Sequence, residues 1–210
     1  MYNPSHFREE RLPVLHEAIR QTRLCSLVTL CSDGLEASHI PVLLEAEEGP
    51  NGTLYGHLAR ANQQWKQTDK SIAALALFVG PDAYISPSWY AAKAEHGKVV
   101  PTWNFVTVHA RGDIEFFDDR DRLLPLVTKL TDKHEGKRAE PWAVSDAPAD
   151  FIDGFLKAIV GFRLPITKID GKWKLSQNRS EADQRGVVAG LNAEGDVADK
   201  ALAELMANRS

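Results

Sequence analysis

Apolar positions recur along this chain in two periods. Leu12, Leu15 and Ile19 fall at helical spacing and predict an N-terminal helix over Glu9 to Thr22, with Pro13 tolerated near its first turn. The period then shortens. Leu24 to Cys31 reads as a strand, Asp33-Gly34 as a hairpin turn, and Leu35 to Leu44 as the returning strand, whose Pro41 marks an edge or a bulge. After a polar turn from Glu47 to Gly52, Thr53 to Leu58 is a third strand and Arg60 to Lys70 a short helix. Ser71 to Val79 is continuously apolar and predicts a strand buried on both faces, broken by Gly80-Pro81-Asp82 before a short strand at Ala83 to Ser86. Pro87 to Val100 is irregular and long enough to read as a functional loop. Thr102 to Phe116 alternates, with Val106, Val108 and Ala110 on one face and Thr107, His109 and Arg111 on the other.

From Asp119 the period lengthens again. Leu123, Val127 and Leu130 mark one helix, and Phe151 and Phe155 mark another over Pro148 to Lys157. A strand from Ala158 to Ile169 turns at Asp170-Gly171 into Trp173-Lys174-Leu175, and helices over Ser180 to Leu191 and Val197 to Ala207 close the chain. Strands on short turns with helices outside them predict a mainly β, α+β fold, an antiparallel barrel with peripheral helices. The length of 210 residues suits a barrel domain over residues 1–180, N-terminal helix included. Residues 181–210 then form a C-terminal helical extension packed on the barrel or on a dimer partner.

Composition narrows the function. At 43% hydrophobic and 26% charged residues the chain is globular, not disordered. A formal net charge of -4 and the lack of a basic stripe weigh against direct DNA binding. No signal peptide is recognisable and no apolar run spans a bilayer, so no membrane partner is expected. Cys25 and Cys31 share one predicted strand and cannot bridge each other, and free thiols fit a cytoplasmic protein. The seven histidines make no metal-binding pattern, and neither a P-loop nor a nucleophile elbow is present.

Three constellations carry candidate chemistry. In Tyr55-Gly56-His57-Leu58-Ala59-Arg60-Ala61-Asn62, followed by Trp65, a strand gives way to a helix, and Arg60 can fork two donors onto a phosphate. The same residues also read as an N-cap (Asn62), a surface charge and a core histidine. Around the long loop, Ser86, Trp89, Thr102, Trp103 and Asn104 combine aromatic rings with hydroxyl and amide groups, which suits a flat heterocycle as well as a core. Lys172-Trp173-Lys174-Leu175-Ser176-Gln177-Asn178-Arg179 gathers cations and amides after a turn, a candidate for an anion or for the polar edge of a ring system, and equally a solvated turn.

Those blocks resemble a known family. Met1-Tyr2-x-Pro4-x-His6-Phe7, Gly56 to Asn62 with Gln64-Trp65, Ala83 to Tyr90, Val100 to Asn104, Val108-His109-Ala110-x-Gly112, Gly161-Phe162-x-Leu164-x-Ile166 and Lys174 to Arg179 are similar to the PaiB family of FMN-binding split-barrel proteins, described as negative transcriptional regulators. Gln63 departs from the proline expected there, and the tail after Asp196 lies outside the matching blocks. The resemblance implies a six-stranded split barrel related to pyridoxamine-phosphate oxidases and flavin reductases, working as a homodimer with flavin at the subunit interface. It puts Arg60 and Asn62 at the FMN phosphate and His57 and Ala59 close to the flavin. A partner subunit would supply residues such as Trp103 and Asn104, or the segment holding Lys174, Gln177 and Arg179.

The function expected is a flavin-dependent oxidoreductase or a flavin-sensing negative regulator. No residue stands out as a catalytic acid, base or nucleophile, and flavin chemistry does not demand one. Haem is the alternative cofactor, because related split barrels include haem-utilisation proteins and His6, His39, His57 or His109 would be the axial ligand.

Overall fold

A computed structural model describes residues 1–208. Ten strands are present: β1 (Arg8–Glu9), β2 (Cys25–Cys31), β3 (Gly34–Ile40), β4 (Val42–Glu45), β5 (Thr53–Ala59), β6 (Ala74–Ile85), β7 (Thr102–Gly112), β8 (Glu115–Phe117), β9 (Ile159–Pro165) and β10 (Lys168–Lys174). The helices are α1 (Leu12–Gln21), α2 (Gln64–Gln67), α3 (Ala92–His96), α4 (Arg120–Glu135), α5 (Ala149–Leu156), α6 (Glu181–Glu194) and α7 (Val197–Ala207), with short 3-10 turns between. The strands form two antiparallel sheets, ordered β1-β10-β7-β6-β2-β3 and β4-β5-β9-β8.

Three predicted strands are each two strands, because the chain leaves one sheet for the other inside them. Pro41 separates β3 from β4, Asp113-Ile114 separate β7 from β8, and Ile166-Thr167 separate β9 from β10. Proline cannot donate to a ladder, so a change of sheet is a position that tolerates it. The hairpin turn expected at Asp170-Gly171 is therefore absent, and β10 runs straight through it. Gly171 is required there by close approach. A Cβ at this position would stand 2.2 Å from the Leu15 side chain and 2.9 Å from the carbonyl oxygen of Glu9, its cross-strand partner. That pairing also moves the start of the first helix from Glu9 to Leu12.

β6 corrects two further expectations. It continues through Gly80-Pro81-Asp82, since β2 pairs with it only over Leu75 to Leu77 and leaves no ladder bond on that side for Pro81 to lose. Nor is it buried on both faces: Ala74, Ala76 and Phe78 are buried, Leu75 and Leu77 half-buried, and Val79 exposed. The buried set moves from even to odd positions across Gly80 to Asp82, as a bulge requires.

The chain forms two compact units. Unit 1 comprises Met1–Ala18, Val79–Val108 and the chain from Asp170 onward; unit 2 comprises Ile19–Phe78 and His109–Ile169. In unit 1, Ile85, Tyr90, Val106 and Leu175 share a core with Val187 and Leu191 of α6 and Leu202 of α7, so helices α6 and α7 belong to that unit. In unit 2, Phe117 packs with Leu123, Leu126 and Leu130 of α4 and Leu156 of α5 over one face of the four-stranded sheet. Asp119 caps α4 by accepting from the Arg122 amide at 2.9 Å. Cys25 and Cys31 are both free and buried, and burial pushes the Cys25 thiol up to about 12. No helix among the described residues is long and apolar enough to cross a membrane.

Candidate functional site

The candidate residues divide between the units. His57, Ala59, Arg60, Asn62 and Trp65 lie in unit 2; Ser86, Trp89, Thr102, Trp103, Asn104, Lys174, Gln177 and Arg179 lie in unit 1.

In unit 2 the junction of β5 and α2 is held from within. The Arg60 guanidinium donates from Nε to the Lys157 carbonyl at 2.7 Å, from Nη2 to the Ile159 carbonyl at 3.2 Å, and from Nη1 to Asp118 at 3.0 Å. Of an arginine's five N–H groups, this leaves about two for any anion. Asn62 accepts from the Gln64 amide at 2.8 Å and donates to Ser38 Oγ at 2.9 Å. Gln64 is buried and ties the segment to β2 and β3: its Nε2 donates to the carbonyls of Leu27 and Glu36 and to Thr29 Oγ1, while its Oε1 accepts from Ser38 at 2.6 Å. Trp65 donates from its indole to the Arg60 carbonyl at 3.0 Å. Helix α2 is four residues long, too short for a useful dipole, and Asn62 already occupies its first amide. Ala59 ends β5, exposed. His57 shares a sheet face with Tyr55 and, through its pairing with Gly161, with Phe117. Its Nδ1 is buried without a partner, and burial holds its pKa below the ordinary histidine value.

Unit 1 combines packing residues with charged and exposed ones. Ser86 caps a 3-10 turn by accepting from the Ser88 amide at 3.1 Å. Trp89 lies against α6 over Gly186 and Gly190, where side chains would collide with it, and its indole donates to Glu194 at 3.3 Å. Asn104 is buried and donates to Ser176 Oγ at 2.9 Å, and Ser176 adopts a left-handed φ of 63° that turns the chain after β10. Gln177 closes the same turn, accepting from the Leu175 amide at 2.7 Å and donating to the Trp173 carbonyl.

The remaining groups are cationic or aromatic. Lys174 Nζ donates to Thr102 Oγ1 at 2.5 Å and to the Trp103 carbonyl. Burial, then the charges of Lys172 and Arg179, pull its pKa below the usual lysine value. The Arg179 guanidinium lies 4.7 Å from the centre of the Tyr90 ring, and Lys172 Nζ lies 5.4 Å from those of Tyr2 and Phe105. None of the three cations has a carboxylate within ion-pair distance among the described residues. Beside them Trp103 is 55% exposed and meets Tyr84 edge-on at 5.9 Å. Uncompensated cations next to an open aromatic surface suit a flat ring system that carries a phosphate. Lys172 belongs to the same Lys172-to-Arg179 segment that the sequence marks as rich in cations and amides.

Strand order and pairing make this an α+β split-barrel protein. The chain belongs to the family described as "Putative FMN-binding domain", which matches residues 1–168. Protease synthase and sporulation protein PAI 2 of Bacillus subtilis is 31% identical over 209 residues, covering 100% of this chain and 98% of that protein. An uncharacterised protein of Emericella nidulans is 32% identical over 244 residues, covering 100% and 97%. Among solved structures, a flavocytochrome from Azotobacter vinelandii superposes with a TM-score of 0.57 at 15% identity, over 85% of this chain and 75% of that one. FMN is the cofactor that family membership assigns, and the cations and aromatics of unit 1 fit it.

Proposed function

We propose that this chain is an FMN-dependent oxidoreductase acting as a homodimer, with Lys174 and Arg179, assisted by Lys172, holding the flavin phosphate and Trp103 covering part of the ring. The supporting observation is the trio of cations with no ion-paired carboxylate among the described residues, beside the exposed Trp103–Tyr84 pair. Arg60, with an acidic partner already in place, is the secondary anion contact, and Asn62 and Trp65 shape its segment. Bound flavin supplies the redox chemistry; the protein positions it and sets its electrostatic surroundings. A second copy of the chain is the partner suggested by an apolar sheet face in unit 2. By register, Val28, Leu30, Leu35, Ala37, Leu75 and Leu77 share this face, and Leu35 is 77% exposed.

The test is the purified protein's own spectrum, mass and activity. Stoichiometric retained FMN, a dimer by light scattering and flavin-dependent oxidation of NADH or NADPH are the expected results. Flavin retention without turnover by either donor, with FMN-dependent binding to promoter DNA, would replace the enzyme with a regulator. Haem handling is the second reading. Its observation is His39, exposed on that apolar face and, among the described residues, bonded through its side chain to Ser26 Oγ at 2.9 Å. Haemin that stays ligated in His39→Ala refutes that ligand.

A further inference from the structure

Unit 2 holds an open cleft of about 510 Å³ that the flavin reading does not use. Leu43, Tyr55, Phe117 and Leu126 make its floor. One wall is the turn after β4, which brings Glu45, Glu47 and Glu48; the other is the face of α4 that carries Arg122 and Lys129. The cleft is thus acidic on one side, basic on the other and apolar between.

Most of these charges are pinned. Arg163 and the Tyr55 hydroxyl both donate to Glu48, at 2.6 and 2.9 Å. Arg122 donates to Glu115 at 2.6 Å while lying 3.8 Å from the centre of the Phe117 ring. Among the described residues one ion pair joins the two walls, Lys129 to Glu45 at 2.6 Å, and it is solvent-exposed and therefore worth little by itself. Glu47 is exposed and adds a further carboxylate on the acidic wall.

We propose that this cleft binds a free α-amino acid with an apolar or aromatic side chain. Its ammonium would meet Glu45 and Glu47, its carboxylate Lys129, and its side chain the floor. A zwitterion can open the Lys129–Glu45 pair and give each partner a new counter-ion. A simple amine that engages Glu45 would strip Lys129 of its carboxylate, and a simple acid that engages Lys129 would strip Glu45 of its cation. The volume lies in the usual range of small-molecule sites, roughly 300–1,000 Å³.

The experiment is ligand-observed saturation-transfer NMR on the FMN-saturated, full-length protein with L-phenylalanine, 2-phenylethylamine and 3-phenylpropionate. L-phenylalanine is expected to bind about tenfold tighter than either singly charged analogue, or more. Ala46→Trp, at the lip of the cleft, should abolish binding while FMN content and melting temperature stay as in the wild type. Lys129→Met should bring L-phenylalanine down to the affinity of 2-phenylethylamine; if that variant is unfolded, Glu47→Gln should weaken the amine and the amino acid but not 3-phenylpropionate. No transfer from L-phenylalanine at millimolar concentration, equal binding of all three compounds, or binding indifferent to Ala46→Trp overturns the proposal.

Discussion

Arg60 and Arg179 both follow a strand and both sit in segments rich in amides, yet they occupy opposite electrostatic situations. Arg60 of unit 2 faces Asp118 and two carbonyls. Arg179 of unit 1 lies over a tyrosine ring in the company of Lys174 and Lys172, with no carboxylate within ion-pair distance among the described residues. A basic residue at the end of a strand is thus not yet an anion site. The state of its counter-charge decides whether it ties the fold together or waits for a ligand, because a guanidinium already facing a carboxylate gains less from a second anion, while an unpaired cluster relieves its own repulsion by binding.

Substitutions that fail for structural reasons mark where unit 1 is not a ligand surface. The largest effect is expected at Gly186 and Gly190. A Cβ on Gly186 would lie 2.0 Å from the Trp89 carbonyl oxygen, and one on Gly190 2.3 Å from the Trp89 ring. Gly186→Ala should cost about 3 kcal/mol, since backbone cannot yield as a flexible side chain can. Urea unfolding measures it; a loss below about 0.5 kcal/mol would mean that Trp89 is free to move and belongs with the ligand groups after all. Next comes Gln64→Ala in unit 2, which removes the amide serving Ser38, Thr29 and two carbonyls and should cost about 2 kcal/mol in the same measurement.

The sharpest form of the comparison is a crossed pair. Arg60→Ala should lower stability by about 1–2 kcal/mol and change FMN affinity little. Lys174→Ala should weaken FMN about tenfold while leaving stability level, because it removes a partly buried cation that repels its neighbours. Isothermal titration with FMN and denaturant melts on both variants decide it. The reverse pattern would return the phosphate to Arg60.

The sequence made the local elements legible wherever one period ran unbroken, as at Leu123, Val127 and Leu130 in α4 or the alternation of Val106, Val108 and Ala110 in β7. It was least informative where the chain changes sheets, since β9 and β10 are continuous in pattern while only three-dimensional pairing separates them. Gly171 shows the same limit. Aspartate–glycine is a turn signal in one dimension, but here the glycine admits Leu15 and the Glu9 backbone. Within the candidate site, residue types pointed to anion and ring chemistry. They did not reveal that Asp118, distant in sequence, already answers Arg60, or that Glu45 and Lys129 meet across a cleft. Those facts depend on long-range pairings that no short motif encodes.

The smallest expected effect tests whether His57 belongs to the interior of unit 2. With Nδ1 buried and unpartnered, its folded-state pKa lies below the ordinary value of 6.5 because burial penalises the imidazolium. The unfolded chain therefore takes up a proton at that histidine before the folded chain does. Stability should fall as pH drops through 6.5 and stop falling on this account once the folded-state pKa is passed. His57→Phe should flatten that part of the profile. Glu48 acts lower down. Partial burial alone would raise its carboxyl, but hydrogen bonds from Arg163 and Tyr55 outweigh that and keep it below 4.5, so its contribution is present at neutral pH and disappears only in stronger acid. Denaturant melts from pH 7.5 to 4 separate the two: a wild-type slope near pH 6 that survives in His57→Phe assigns the proton to another group and leaves His57 open as a ligand contact.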